Sequence, residues 1–101
     1  MKRTKFFIYG MFNPAVKGPV PKMVDGYFVY VDGVAIGLHR WDKKSEWVAS
    51  ELSTGIRIIA GDTREKAIEA ARPYLPAVRD LLKKEKMIPV KQAIEAAYKA
   101  A

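Results

Sequence analysis

The stretch Tyr27-Phe28-Val29-Tyr30-Val31-Asp32-Gly33-Val34-Ala35-Ile36-Gly37-Leu38 decides the fold. Aromatic and β-branched residues on either side of Asp32-Gly33 favour two strands. Asp-Gly suits a type I′ turn, which needs positive φ at both central positions and joins the strands through only two residues. That loop fixes the register: Val31 falls opposite Val34, Val29 opposite Ile36 and Tyr27 opposite Leu38. Side chains alternate across a sheet, so these six share one apolar face that needs a cover. Phe28, Tyr30, Ala35, Gly37, His39 and Trp41 share the other face, which is aromatic and partly polar.

Working outward from this hairpin, Val34 to Trp41 reads as a strand, Asp42 to Ser45 as a polar turn and Glu46 to Leu52 as the next strand. Ser53-Thr54-Gly55 turns the chain and Ile56 to Ala60 returns. A three-residue loop with Gly55 in the left-handed region puts Leu52 opposite Ile56 and Ser50 opposite Ile58. It also sets Glu51 opposite Arg57 as an opposite-charge cross-strand pair. Upstream, Phe6 to Tyr9 reads as an N-terminal strand, and Lys17 to Lys22 as a loop because Gly18, Pro19 and Pro21 interrupt regular structure.

After Gly61 the period changes to that of helices. Asp62 is the expected cap, with Glu65 three residues on. Ile68, Ala71, Leu75, Val78 and Leu82 recur at spacings of three and four, one face of a helix. Pro73 and Pro76 should break it and start a second helix running from about Pro76 to Lys86. Pro89 suits the first turn of a last helix whose apolar side is Val90, Ala93, Ile94, Ala97 and Tyr98. Strands followed by helices make an α+β domain: an antiparallel β-meander of about four to five strands, then two to three helices packing on the sheet. The first helix should cross the Val29/Ile36/Leu38 face. With 101 residues the chain is expected to form a single domain. Residues 1–24 supply the N-terminal strand and the Pro/Gly loop, 25–61 the meander and 62–101 the helical part.

The absence of cysteine excludes thiol nucleophiles, disulfides and thiolate metal sites. It also suits the reducing cytoplasm, the expected location. The basic start Met1 to Lys5 before Phe6 is not read as a secretory signal, because the apolar run is short and broken by Gly10. No run approaches the ~20 apolar residues of a membrane span, so no membrane role is expected. Net charge is +7. The excess lies at the two ends of the chain, from Lys2, Arg3, Lys5, Lys17 and Lys22 to the Lys/Arg-rich final third, around a balanced middle. Such a distribution attracts polyanions or acidic partners and also keeps a small protein soluble.

Catalytic patterns are missing. His39 is the only histidine, which removes a His-rich metal site, and neither GxSxG nor HExxH occurs. The aspartates Asp25, Asp32, Asp42 and Asp62 fall at turns and caps. The glycines form no phosphate-binding loop. No enzyme, cofactor or metal is expected. The suggestive features are the rings of Phe28, Tyr30, His39 and Trp41, able to stack unpaired bases while Arg40 and Arg57 meet phosphates. A helix covering those rings is the competing reading. Arg79, Lys83 and Lys86, spaced four and three apart on a helix, form a second basic stripe.

Gly61-Asp62-Thr63-Arg64-Glu65-Lys66-Ala67 resembles the strand-to-helix junction of HicB-type antitoxins, where Gly-Asp-Thr precedes an acidic residue and Ala. Asp25-Gly26-Tyr27 is similar to their start. The chain differs from them in an extra hairpin, a missing Pro-Gly-Cys segment and Lys66 at an acidic position, so no functional residue is carried over. Trp47 through Thr54-Gly55 to Ala67-Ile68 is similar to short proteins of phages and prophages, which implies a mobile-element accessory protein. The expected function is a non-enzymatic binding module that takes nucleic acid through its basic ends and sheet aromatics. The alternative is a protein-interaction module, such as an inhibitor of a host defence nuclease or an antitoxin-like partner. Meander edge strands can also pair between chains, which leaves the oligomeric state open.

Overall fold

A computed structural model describes the backbone of residues 1–13 and 18–101 and the side chains of 1–9 and 20–101. Five antiparallel strands form one sheet in sequence order: β1 (Lys2–Asn13), β2 (Gly18–Val31), β3 (Val34–His39), β4 (Trp47–Glu51) and β5 (Arg57–Gly61). Three helices follow: α1 (Arg64–Ala71), α2 (Leu75–Leu82) and α3 (Ile88–Ala100). The fold is α+β, as the order of elements implies.

The Asp32-Gly33 hairpin has the expected geometry. Both residues have positive φ, 49° and 79°, and Val31, Val29 and Tyr27 pair with Val34, Ile36 and Leu38. The apolar face meets α1: Ile36 and Leu38 pack with Ala49, Ala67, Ala71 and Leu75, all fully buried. The centre of the helical stripe is Ala67, Ala71 and Leu75, with Ile68 and Val78 at its margin. A 3-10 turn at Arg72–Tyr74 joins α1 to α2, and Pro76 stands in the first turn of α2. Pro89 occupies the same place in α3.

Several boundaries differ from the sequence reading. Strand pairing reaches back through the proline-rich segment, so Gly18 to Lys22 belongs to β2; Lys17 lies outside the described residues. Residues 18–25 have a strand neighbour only on the β1 side, and Pro21 falls at the irregularity between the Ile8–Lys22 and Met11–Val20 pairs. Edges and bulges are where a strand tolerates proline. At the other end, β3 stops at His39, leaving Arg40 and Trp41 beyond the ladder. Thr63, not Asp62, caps α1: it has extended dihedrals and its hydroxyl accepts from the Lys66 N–H at 3.1 Å. Finally, α2 ends at Leu82, short of Lys86. The Lys91 ammonium donates to the freed Leu82 carbonyl at 2.9 Å, a cationic C-terminal cap.

The second hairpin keeps Gly55 in the left-handed region, with φ +66°, but its register is one residue off expectation. Ser50 pairs with Arg57 and Ala49 with Ile59, and Ile58 bulges. Glu51 therefore does not face Arg57. Its carboxylate, 4% exposed, accepts from the backbone N–H and hydroxyl of both Ser53 and Thr54 at 2.6–2.9 Å. Those four donors hold the chain in a four-residue turn, and the Glu51 N–H closes it on the Ile56 carbonyl.

The bulge in β1 has the largest consequence. Bulges bend a strand, and here the Tyr9 N–H donates to the Gly55 carbonyl at 2.8 Å. The first strand thus reaches the β4–β5 turn, and the sheet curls over its second face. Phe6, at 1% exposure, lies over Gly37, where a side chain would strike the ring. Two residues before Tyr9, the Phe7 N–H donates to the Tyr98 hydroxyl at 3.2 Å, and the two rings meet edge to face. So α3 and the Gly55 turn occupy the outer edge of β1 at Phe7 and Tyr9.

Candidate nucleic-acid interface

The expected stacking surface is divided. Tyr30 is 70% and Trp41 51% exposed, and Phe28, edge-on to Tyr30 at 4.8 Å, is half-buried. His39, at 2%, is inside. Neither a helix nor open solvent accounts for this face: β1 itself closes its middle. Ala35, which pairs with Tyr30, stands four residues from His39 on β3, about 13 Å at strand rise. Tyr30 and Trp41 therefore belong to opposite ends of the sheet and form no single platform.

His39 is held between two rings, edge to face with Phe6 at 6.0 Å and with Trp41 at 5.1 Å. The Lys22 ammonium lies over the outer part of that stack, 5.3 Å from the Trp41 ring. Burial, and then the nearby Arg57 guanidinium, push the imidazole below its usual pKa. Ser50 and Arg57 line the same cleft as His39. Among the described residues neither ring nitrogen has a hydrogen-bond partner, so the Ser50 hydroxyl is not coupled to the imidazole, and no carboxylate among them lines the cleft to orient it. A nucleophile–base pair requires that coupling.

Arg79 and the lysines after it do not make a stripe. Arg79 donates to the Asp32 carbonyl at 3.0 Å and Arg72 meets the Asp32 carboxylate at 3.4 Å, tying α2 to the first hairpin turn. Lys83 and Lys86 are exposed but lie past the end of α2, so helical spacing no longer aligns them with Arg79.

Arg40 does find company, on the other face. Its guanidinium lies 4.7 Å from the Trp47 ring, and the Arg64 guanidinium lies 4.3 Å from the Tyr27 ring and 5.6 Å from Trp47. The two rings are themselves 5.8 Å apart. Arg3 pairs with Tyr27 across β1 and β2 and, with Asp25 and Arg40, lines a hollow of about 220 Å³ over Tyr27 and Trp47. Among the described residues, none of Arg3, Arg40 and Arg64 enters an ion pair. Here half-buried rings lie beneath the guanidiniums of Arg40 and Arg64, with Arg3 lining the hollow beside them.

Comparison with family models, curated proteins and solved structures finds no match.

Of this cluster, sequence reasoning names Arg40 as a site residue and Arg3 as part of the basic N-terminal end. The hairpin pattern puts Tyr27 on the covered apolar face. Extending the first hairpin register by two residues places Arg40 beside it, because alternation puts Tyr27, Leu38 and Arg40 on one side, and the β3–β4 pairing brings Trp47 there. Arg64 joins from the first residue of α1, and only the packing of that helix brings it there. Among the described residues no group of three or more His, Asp or Glu could hold a metal, and no helix is long and apolar enough to cross a membrane.

Proposed function

We propose that the protein is a non-enzymatic module that binds single-stranded nucleic acid across the Arg3–Tyr27–Arg40–Trp47–Arg64 surface. The observation that carries this reading is the stacking of two unpaired guanidiniums on two sheet aromatics. Stacking fixes each guanidinium plane and leaves its N–H edges for phosphate oxygens. The outer faces of the guanidiniums and the margins of the rings offer planes to unstacked bases. Net charge of +7 supplies long-range attraction.

The test is fluorescence anisotropy with labelled single- and double-stranded oligonucleotides over a salt series. Binding of the single strand should fall linearly in log–log form, and removing Arg40 and Arg64 together should lower the slope by about 1.4, or ~0.7 for each lost phosphate contact. No binding to either form at low salt rejects the reading.

A second reading, a protein-binding module of a phage or other mobile element, draws on a different region. Tyr74 and Leu81 are exposed and border an apolar cleft of about 210 Å³ between α2 and the β4–β5 hairpin. The resemblance of Gly61 to Ala67 to antitoxin junctions belongs with this alternative. A pull-down that depends on Tyr74 and Leu81 but not on Arg40 and Arg64 would favour it.

A further inference from the structure

The strand-closed face carries a cleft built from other residues. Where β1 bends toward Gly55, a cleft of about 280 Å³ opens between Ile8, Val48, Trp41, Ser50, His39 and Arg57. That is close to the lower end of small-molecule sites, about 300 Å³. Its chemistry is one-sided. Arg57 is exposed and enters no ion pair among the described residues. Among the described residues no carboxylate lines the cleft, and Lys22 stands over the Trp41 ring at its margin. Ile8, Val48 and Trp41 supply aliphatic and aromatic wall, beside Tyr9, Gly55, His39 and the Ser50 hydroxyl.

His39 adds an independent observation. Buried polar atoms in native proteins are almost always hydrogen-bonded. Both nitrogens of this buried imidazole lack a partner, and they are the only such side-chain atoms among the described residues. They are enclosed, with the Trp41 ring edge-on to the imidazole and half exposed on its own account. Trp41 lies beyond the end of β3, so no ladder bond fixes it. A ligand that moves this ring aside reaches one donor and one acceptor on the neutral imidazole.

We propose that the cleft binds a small organic monoanion, a carboxylate carried on an apolar body. Arg57 takes the carboxylate through its fork of N–H groups, Ile8, Val48 and Trp41 take the body, and His39 gains the hydrogen bond it lacks. Arg57 is the one cation lining the cleft among the described residues, beside the apolar walls of Ile8 and Val48, and one guanidinium matches a carboxylate better than a phosphate dianion.

The experiment uses the whole chain carrying Trp47→Phe, so that Trp41 is the only indole. Benzoate, benzamide and benzylammonium are titrated as probes, with Trp41 fluorescence and the His39 ring proton resonances as readouts. Benzoate should give a saturable change in both signals, and benzamide and benzylammonium none over the same range. Arg57→Gln should weaken benzoate binding at least ~10-fold with an unchanged circular dichroism spectrum. Equal responses to benzoate and benzamide, an Arg57→Gln affinity within twofold of the parent, or no saturable benzoate response up to ~10 mM would each overturn the proposal.

Discussion

Ile36 and Gly37 are neighbours on β3 that look in opposite directions, and the molecule closes over them by different means. Ile36 meets Ala67, Ala71 and Leu75, a helical segment laid on the sheet. Gly37 meets the ring of Phe6, carried by the first strand of the same sheet. A helix satisfies its own backbone and covers with side chains alone. A strand folded back as a cover brings unpaired backbone groups with it, and these need partners. Here the Tyr9 and Phe7 N–H groups go to the Gly55 carbonyl and the Tyr98 hydroxyl. The helix-closed face is thus secured by spread-out aliphatic contact, and the strand-closed face by a few directional bonds around one ring. The first arrangement tolerates small changes, whereas the second concentrates dependence on single residues.

That contrast can be broken most directly at Phe6. Phe6→Ala should lower unfolding free energy by about 3–5 kcal/mol in denaturant titration, more than Ile68→Ala on the margin of the helix-closed face. Equal losses would mean that the two closures do not differ in this way.

Gly55→Ala comes next. A methyl group there meets the Tyr9 backbone nitrogen at 2.6 Å and the residue holds φ +66°, so about 2–4 kcal/mol should be lost. Gly33→Ala, also at positive φ but with open space around it, should cost about 1 kcal/mol. The difference between the two isolates the approach of β1 from backbone conformation.

Glu51→Ala should cost about 2 kcal/mol, because four donors in the second turn lose a buried acceptor. Hydrogen exchange should quicken at Thr54 and Tyr9 but not at Ile36, if the second turn supports the strand closure alone.

The smallest effect is that of pH on the strand-closed face. The folded-state pKa of His39 lies below its unfolded value, so the unfolded chain takes up the proton first as pH falls. Stability is complete above the unfolded value near 6.5 and declines as pH drops toward the lowered folded value, by at most about 1.4 kcal/mol per unit. His39→Gln should flatten the change in Tm between pH 7 and 5. An unaltered slope would assign it to other groups.

The first hairpin was legible because a two-residue turn leaves no freedom: once Asp32-Gly33 is recognised, every pairing from Val31 to Tyr27 follows. The second hairpin shows where such reasoning stops. Its turn residues and the left-handed Gly55 were visible, but the Glu51 carboxylate takes the four donors of its own turn in place of a cross-strand charge pair, and the register stands one residue away. The long outer strands were hidden by prolines, whose cost depends on whether the strand has a neighbour on that side. The same holds for the site. Arg40 could be picked from its neighbourhood and Trp47 follows from the next strand pairing, whereas Arg3 and Arg64 join through contacts distant in sequence. His39 could be placed on the correct face, but the sequence did not reveal that β1 would turn back over it.

The bond from the Phe7 N–H to the Tyr98 hydroxyl spans 91 residues. Loop closure over such a distance comes late in folding, after local hairpins and helices. On a ribosome, the early strand must therefore wait for nearly everything that follows before its outer side is protected. During that interval an open β-edge at Phe7 is available to any passing strand, so a slow or stalled synthesis exposes the molecule to misassembly at the very segment that later seals it.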